Sequence, residues 1–307
     1  MKKIIKILSL FSLVLLVACS NNKTNEDKSI KIGAMGSIDA FPLVIAKEKG
    51  FFKDNNLNAN IELFTDATKR EAALQSKSVD GVLSDDVAMA LYENSGMDMK
   101  VVSKSTGNFS LVASKKSNIN KLSDLKGKKI AIAENSMIEY LSEQEAIKGG
   151  VQIKDLKKIT IPPLPARLEG LGNGEVDAAI LPAPFDAIAL KQGHKVIDTI
   201  SNDDAQVTVY SFYNDYLTKN PQNAKSFVKS YNEAVDYINN TDIKEYEDLI
   251  IEVVGYSKES KGNIKLPKFS KIALPDTTKV QKVFDWTKDK KMIDKEIKAE
   301  DVMYEIK

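Results

Sequence analysis

From Ile30 onward the apolar residues come in short runs, each followed by an interval in which they recur at helical spacing. Runs near 30–34, 60–64, 80–84 and 100–103 are rich in Val, Ile and Leu, and a second set lies near 129–133, 158–161, 178–181 and 195–198. Brief apolar runs bounded by turn residues read as buried strands, and the amphipathic intervals between them as helices. Their alternation predicts an α/β fold with mainly parallel sheets. The first helix is expected to open at Asp39 and Pro42, an acceptor cap and a residue without an N–H. It should stop at Gly50, with Phe51 making the contact beyond. NFSLVASKKS at 108–117 and AQVTVYSFYND at 205–215 are strand-like. The tail is helical at 220–240, with an apolar stripe at Phe227, Tyr231, Ala234 and Ile238, and again around 242–255 and 276–290.

The two strand sets repeat one another. SVDGVLSDDVAMALYENSG (78–96) lies over EVDAAILPAPFDAIALKQG (175–193) at an offset of 97, which brings Val79-Asp80 onto Val176-Asp177 and Gly96 onto Gly193. The same offset carries Arg70 to Arg167 and Leu74 to Leu171. Two lobes of like topology follow. If the tail rejoins the first lobe the chain crosses twice, with residues 30–108 plus 213–307 forming lobe 1 and 109–212 forming lobe 2.

The N-terminus, MKKIIKILSLFSLVLLVACSNN, has a cationic start, an apolar run to Ala18, then Cys19. That run is shorter than the roughly 20 residues a membrane-spanning helix needs and reads as a signal peptide over 1–18. Leu16-Val17-Ala18-Cys19 resembles the bacterial lipobox, so Cys19, the chain's one cysteine, is expected to be acylated. Residues 19–29 then form a lipidated tether, polar and without periodicity. Loss of Lys2, Lys3 and Lys6 from the 44 basic residues leaves 41 against 43 acidic. No basic stripe suggests nucleic acid.

Little in the sequence suits catalysis. The single histidine, His194, follows Gly193 in what reads as a surface turn, with no partner to orient it. Gly33 and Gly36 lack the three-glycine spacing of a dinucleotide turn. Asp85 and Asp86 are adjacent and so point apart, which argues against a metal site. No cofactor is expected. In open parallel sheets ligands bind beyond the carboxyl ends of the strands, against helix N-termini that favour anions. The loops at those ends nominate Ser37, Asp39, Phe41, Ser84, Asp85, Thr106 and Asn108 in the first lobe. In the second they nominate Asn135, Ser136, Pro163, Arg167 and Pro182. Asp39, Asp85 and Glu134 disfavour a bare anion and suit an amine, whereas the two arginines and the helix N-termini favour one. Either arginine can instead brace its own lobe, Arg70 through Asp66.

GAMGSIDAFPLVIAKEKGFFKDNNL, KLSDLKGKKIAIAENSMIEYL, RLEGLGNGEVDAAILPAPF and VFDWTKDKKMIDKEI resemble segments of the substrate-binding lipoproteins of ABC importers. The branch is the one that takes nitrate, aliphatic sulfonates, taurine and thiamine-pyrimidine precursors. The resemblance implies a two-lobed type II periplasmic-binding-protein fold, each lobe a mainly parallel sheet flanked by helices and joined by two crossover strands. It also implies a small organic solute in the cleft, permease and ATPase partners, and a monomer anchored outside the cell membrane by lipid alone. Two other classes stay open: a fold-related enzyme acting on a small metabolite, and a surface sensor or adhesin.

Overall fold

Among the described residues ten strands form where the apolar runs lie: β1 (Ser29–Met35), β2 (Asn58–Phe64), β3 (Gly81–Asp85), β4 (Met99–Lys104), β5 (Asn108–Ala113), β6 (Lys129–Ile132), β7 (Lys157–Thr160), β8 (Ala178–Pro182), β9 (Lys195–Ser201) and β10 (Thr208–Tyr213). This computed structural model describes residues 28–64, 67–201, 205 and 208–307; the signal peptide expected over 1–18, Cys19, most of the expected tether, Thr65 and Asp66 lie outside the described residues. The strands make two sheets, ordered β2-β1-β3-β10-β4 and β7-β6-β8-β5-β9. β1 pairs in parallel with β2 and β3, while β10 runs antiparallel to β3 and β4. The second sheet repeats this plan, with β6 parallel to β7 and β8, and β5 antiparallel to β8 and β9. Each sheet thus takes its fourth strand from the segment that crosses between lobes. Because Thr208–Tyr213 belongs to the first sheet, the second crossing falls between Ser201 and Thr208, ahead of the boundary expected at 212–213. The crossings are tied together, since Ser105 N donates to Thr208 O at 3.0 Å and the two hydroxyls lie 2.6 Å apart.

Helices α1 (Phe41–Glu48), α2 (Phe51–Asp54), α3 (Ala67–Gln75) and α4 (Asp86–Ser95) accompany the first sheet, and α5 (Met137–Lys148), α6 (Leu164–Asn173) and α7 (Phe185–Lys191) the second. The tail adds α8 (Asn214–Lys219), α9 (Pro221–Asn240), α10 (Glu247–Ile250), α11 (Thr277–Asp289) and α12 (Ala299–Val302). Both faces of each sheet are covered, as buried parallel strands require. In lobe 1, Ile32, Leu43 and Phe212 share a core with the stripe of α9, whereas Val82, Met89 and Phe284 form another. In lobe 2, Ile130, Ile132 and Ile180 lie in one core and Ala131, Leu171 and Leu181 in another.

Local chemistry departs from the sequence reading in three places. A 3-10 turn, Ile38–Ala40, precedes α1, so Asp39 sits inside that turn and does not cap the helix; Gly50 does take the left-handed conformation, at φ +82°. The helix expected at 242–255 is broken into a 3-10 turn, α10 and a π turn. His194 is buried, its Nδ1 accepting from Lys115 N at 3.2 Å, and burial with Lys115 and Lys116 nearby holds its pKa below the ordinary value.

The lobes also meet through α11, which lies along α4 and reaches α5 of lobe 2. Trp286 Nε1 donates to Glu143 at 2.7 Å, Lys290 Nζ to Glu139 at 2.6 Å, and the Tyr140 and Trp286 rings meet edge-on at 5.5 Å. Farther along α5, burial and then neighbouring Asp198, itself paired with Lys148, push the Glu145 carboxyl up to about 7. The folded state therefore keeps a proton that the unfolded chain releases near pH 4.5, and stability falls as pH rises from about 4.5 to about 7. Glu145→Gln keeps a donor toward Asp198 without the charge. It should raise unfolding stability at pH 8 by about 2 kcal/mol and change it little at pH 5, read from denaturant midpoints.

Candidate functional site

The repeat places the two arginines in equivalent surroundings. Arg70 and Arg167 occupy the fourth position of α3 and α6, and both are buried. Arg70 Nη1 donates to Leu83 O at 2.8 Å, and Arg167 Nη1 to Ile180 O at 3.5 Å; 83 and 180 are again 97 apart. Their remaining donors differ. Arg70 grips Glu71 Oε1 with Nε and Nη2, at 3.1 and 2.6 Å, and Tyr92 OH donates to the other Glu71 oxygen. Arg167 instead donates to Ile161 O at 2.9 Å and Pro162 O at 2.6 Å, with no carboxylate partner among the described residues, and burial lowers its pKa to about 10. In this conformation both forks brace strand ends. Glu71 holds Arg70 here; Asp66 lies outside the described residues.

Most of the nominated loop residues are engaged by the chain itself. Ser37 Oγ donates to Met35 O and to Asp39, whose backbone carbonyl accepts from Tyr210 OH at 2.7 Å. Asp85 caps α4, accepting from Ala88 N at 2.9 Å, and Ser136 caps α5, accepting from Ile138 N at 3.2 Å. Asn135 N donates to Glu139, and Thr106 Oγ1 accepts from Ser270 N. Pro163 is exposed at the N-cap of α6, which has Pro165 in its first turn, and Pro182 is half-buried at the end of β8. Phe41, nominated with the loop residues, is fully buried in the lobe 1 core beside Tyr246, with centroids 5.8 Å apart, and so does not reach the cavity. Ser84 is buried with its hydroxyl unbonded among the described residues.

Carboxylates gather at the first lobe's strand ends. Burial pushes the Asp39 and Asp85 carboxyls up, each partly offset by the Arg70 charge. Asp86 is fully buried and neither oxygen has a hydrogen-bond partner among the described residues; burial, then Asp85, holds its pKa well above the ordinary range. Burial without a partner favours the protonated form of such a carboxyl, because an unpaired buried charge is costly.

The cavity between the lobes, about 360 Å³, lies beside these loops. One wall is Ala183, Asp186, Ala187, Leu190 and Lys191, from the end of β8 and along α7. The other comes from the tail, with Tyr256, Glu259, Ser260, Ile264, Lys265 and Pro267. Ile38 and Asn108 line it where the first crossing enters lobe 2. Of the twelve nominated residues only Asn108 lines this cavity, although Ile38 and Ala183 are immediate neighbours of nominated ones. Lys191 Nζ donates across the gap to Ser260 Oγ at 3.2 Å. Asp186 accepts from Ser110 Oγ at 2.9 Å and from Ala187 N at 2.7 Å, and burial with the Asp186 charge pushes the Tyr256 hydroxyl up to about 12. No group of three or more His, Cys, Asp or Glu side chains suited to a metal ion occurs among the described residues.

A family model described as NMT1/THI5 like matches residues 37–242, more than half of the chain. The chain belongs to the NMT1/THI5-like family. A Bacillus subtilis (strain 168) protein named for binding aliphatic sulfonates is 25% identical over 305 residues, 94% of this chain and 91% of that one. Among solved structures, the periplasmic aliphatic sulphonate binding protein SsuA from Escherichia coli superposes with a TM-score of 0.77 at 18% identity, covering 91% of this chain and 93% of its own. The desulfurization enzyme DSZB also matches, at a TM-score of 0.63 and 10% identity, covering 90% and 96%. These likenesses establish the two-lobed periplasmic-binding-protein fold; since an enzyme shares it, the fold by itself does not fix what the cleft does.

Proposed function

We propose that the chain is the extracytoplasmic receptor of an ABC importer, acylated at Cys19 and held on the outer face of the cell membrane. It captures one small organic solute, a sulfonate, a thiamine-pyrimidine precursor or a similar compound, and delivers it to a permease driven by an ATPase. The observation that carries this reading is the cavity walled by both lobes beside the paired crossings. A solute touching α7 on one side and the 256–267 segment on the other gains contacts only when the lobes are together. Differential affinity of that kind is what shifts an open–closed balance. The Lys191–Ser260 contact sits at the edge that must part, while the larger Trp286–Glu143 and Lys290–Glu139 contacts suit a pivot. The sulfonate-binding relative supports the solute class by its name alone.

Heat-denaturation screening of the purified protein against sulfonates, thiamine precursors, riboflavin and amino acids tests the reading. A true solute at 100 times its Kd should add about 2.7 kcal/mol of stability. Flat melting curves across a broad solute library would contradict it.

A further inference from the structure

We propose that Asp186 makes the cleft selective for a solute carrying a cationic nitrogen, so that a bare organic anion is a poor ligand. This rests on the receptor reading and narrows it. Asp186 is a half-buried carboxylate in the wall of the interlobe cavity. Ser110 and Ala187 N use two of its roughly four acceptor positions, leaving capacity for a donor brought by the solute. Glu259, the other acid in the lining, is exposed.

The cationic side chains around the cavity are placed less favourably for holding an anion. Lys191 and Lys265 are exposed at the rim, and Lys191 already donates to Ser260. Interactions of such exposed charges are weakened by water and salt, whereas a half-buried carboxylate acts through a lower dielectric. Arg167, the fork best suited to a sulfonate or carboxylate, is absent from the lining and occupied by three carbonyls. The apolar lining at Ile38, Ala183, Leu190, Ile264 and Pro267 accommodates a carbon chain or ring. Across from Asp186 the Tyr256 hydroxyl stays protonated, a neutral neighbour to the bound cation. An acid group elsewhere on the solute would lie toward the rim lysines.

Matched pairs separate charge from shape: 3-aminopropane-1-sulfonate against propane-1-sulfonate, and 4-aminobutanoate against butanoate. Calorimetric titration of the full protein should give at least tenfold tighter binding for the amine member of a pair. Asp186→Asn, which keeps an acceptor for Ser110, should bring that preference close to parity, with apo melting curves checking its fold. Equal or tighter binding of the amine-free member to the unaltered protein overturns the proposal without needing the variant, as does a preference that survives in Asp186→Asn. If none of the four binds, the broad screen decides. A ligand found there without a cationic nitrogen overturns the selectivity and leaves the receptor standing, one with a cationic nitrogen that loses at least tenfold affinity in Asp186→Asn upholds it, and a screen with no ligand overturns both.

Discussion

Arg167→Ala should lower the stability of the ligand-free protein by about 2 kcal/mol, measured as the shift in denaturant-unfolding free energy. Two opposed effects set the size. The guanidinium makes three hydrogen bonds to the carbonyls of Ile161, Pro162 and Ile180, and those to a charged donor contribute about 1.5–3 kcal/mol each. Against them stands the cost of burying the cation, visible in a pKa lowered to about 10, or about 3 kcal/mol. The bonds win, and removal takes a donor from all three carbonyls. Arg167→Met, which restores the packing of the stem and removes the charge, should cost less than alanine. If Arg167→Ala leaves the ligand-free protein unchanged while abolishing stabilisation by a solute, the arginine is a ligand contact and the brace is wrong.

Gly81→Ala should cost about 3 kcal/mol, by a different route. Gly81 pairs with Phe212 where the crossing strand β10 joins β3. A Cβ there would lie 2.2 Å from Phe212 Cδ1 and 2.6 Å from Cε1. The ring has no room to retreat, being buried and held edge-on by Phe227 with centroids 5.2 Å apart. Overpacking a fixed site costs about 1–3 kcal/mol or more. Phe212→Ala alone should cost about 4 kcal/mol through its cavity. The double variant should lose less than the sum, by about 1–3 kcal/mol, because each change relieves the other. Additive losses would mean that the clash is not what makes Gly81 necessary.

The lobe plan was legible because burial on both faces forces strands to be short apolar runs, and because the repeat kept its spacing. The 97-residue offset foretold that Arg70 and Arg167 are equivalent, down to their bonds with Leu83 and Ile180. The cleft was less legible. Nearness to a strand end identifies a loop but not the direction of each side chain, so Phe41 turns into the core while its neighbour Ile38 lines the cavity. Asp186 was hidden at the start of a helix whose sequence shows only an apolar stripe. The tail wall at 256–267 has no periodicity, and its place depends on the chain returning to lobe 1 through β10. A polar, Lys-rich stretch so far from the strand loops offers no local sign of that return.

Small-angle scattering of the protein alone and saturated with a solute found by screening tests closure most directly. Lobes that close on the solute give a smaller radius of gyration and a narrower distance distribution in the saturated sample. Identical scattering curves at proven saturation would contradict it.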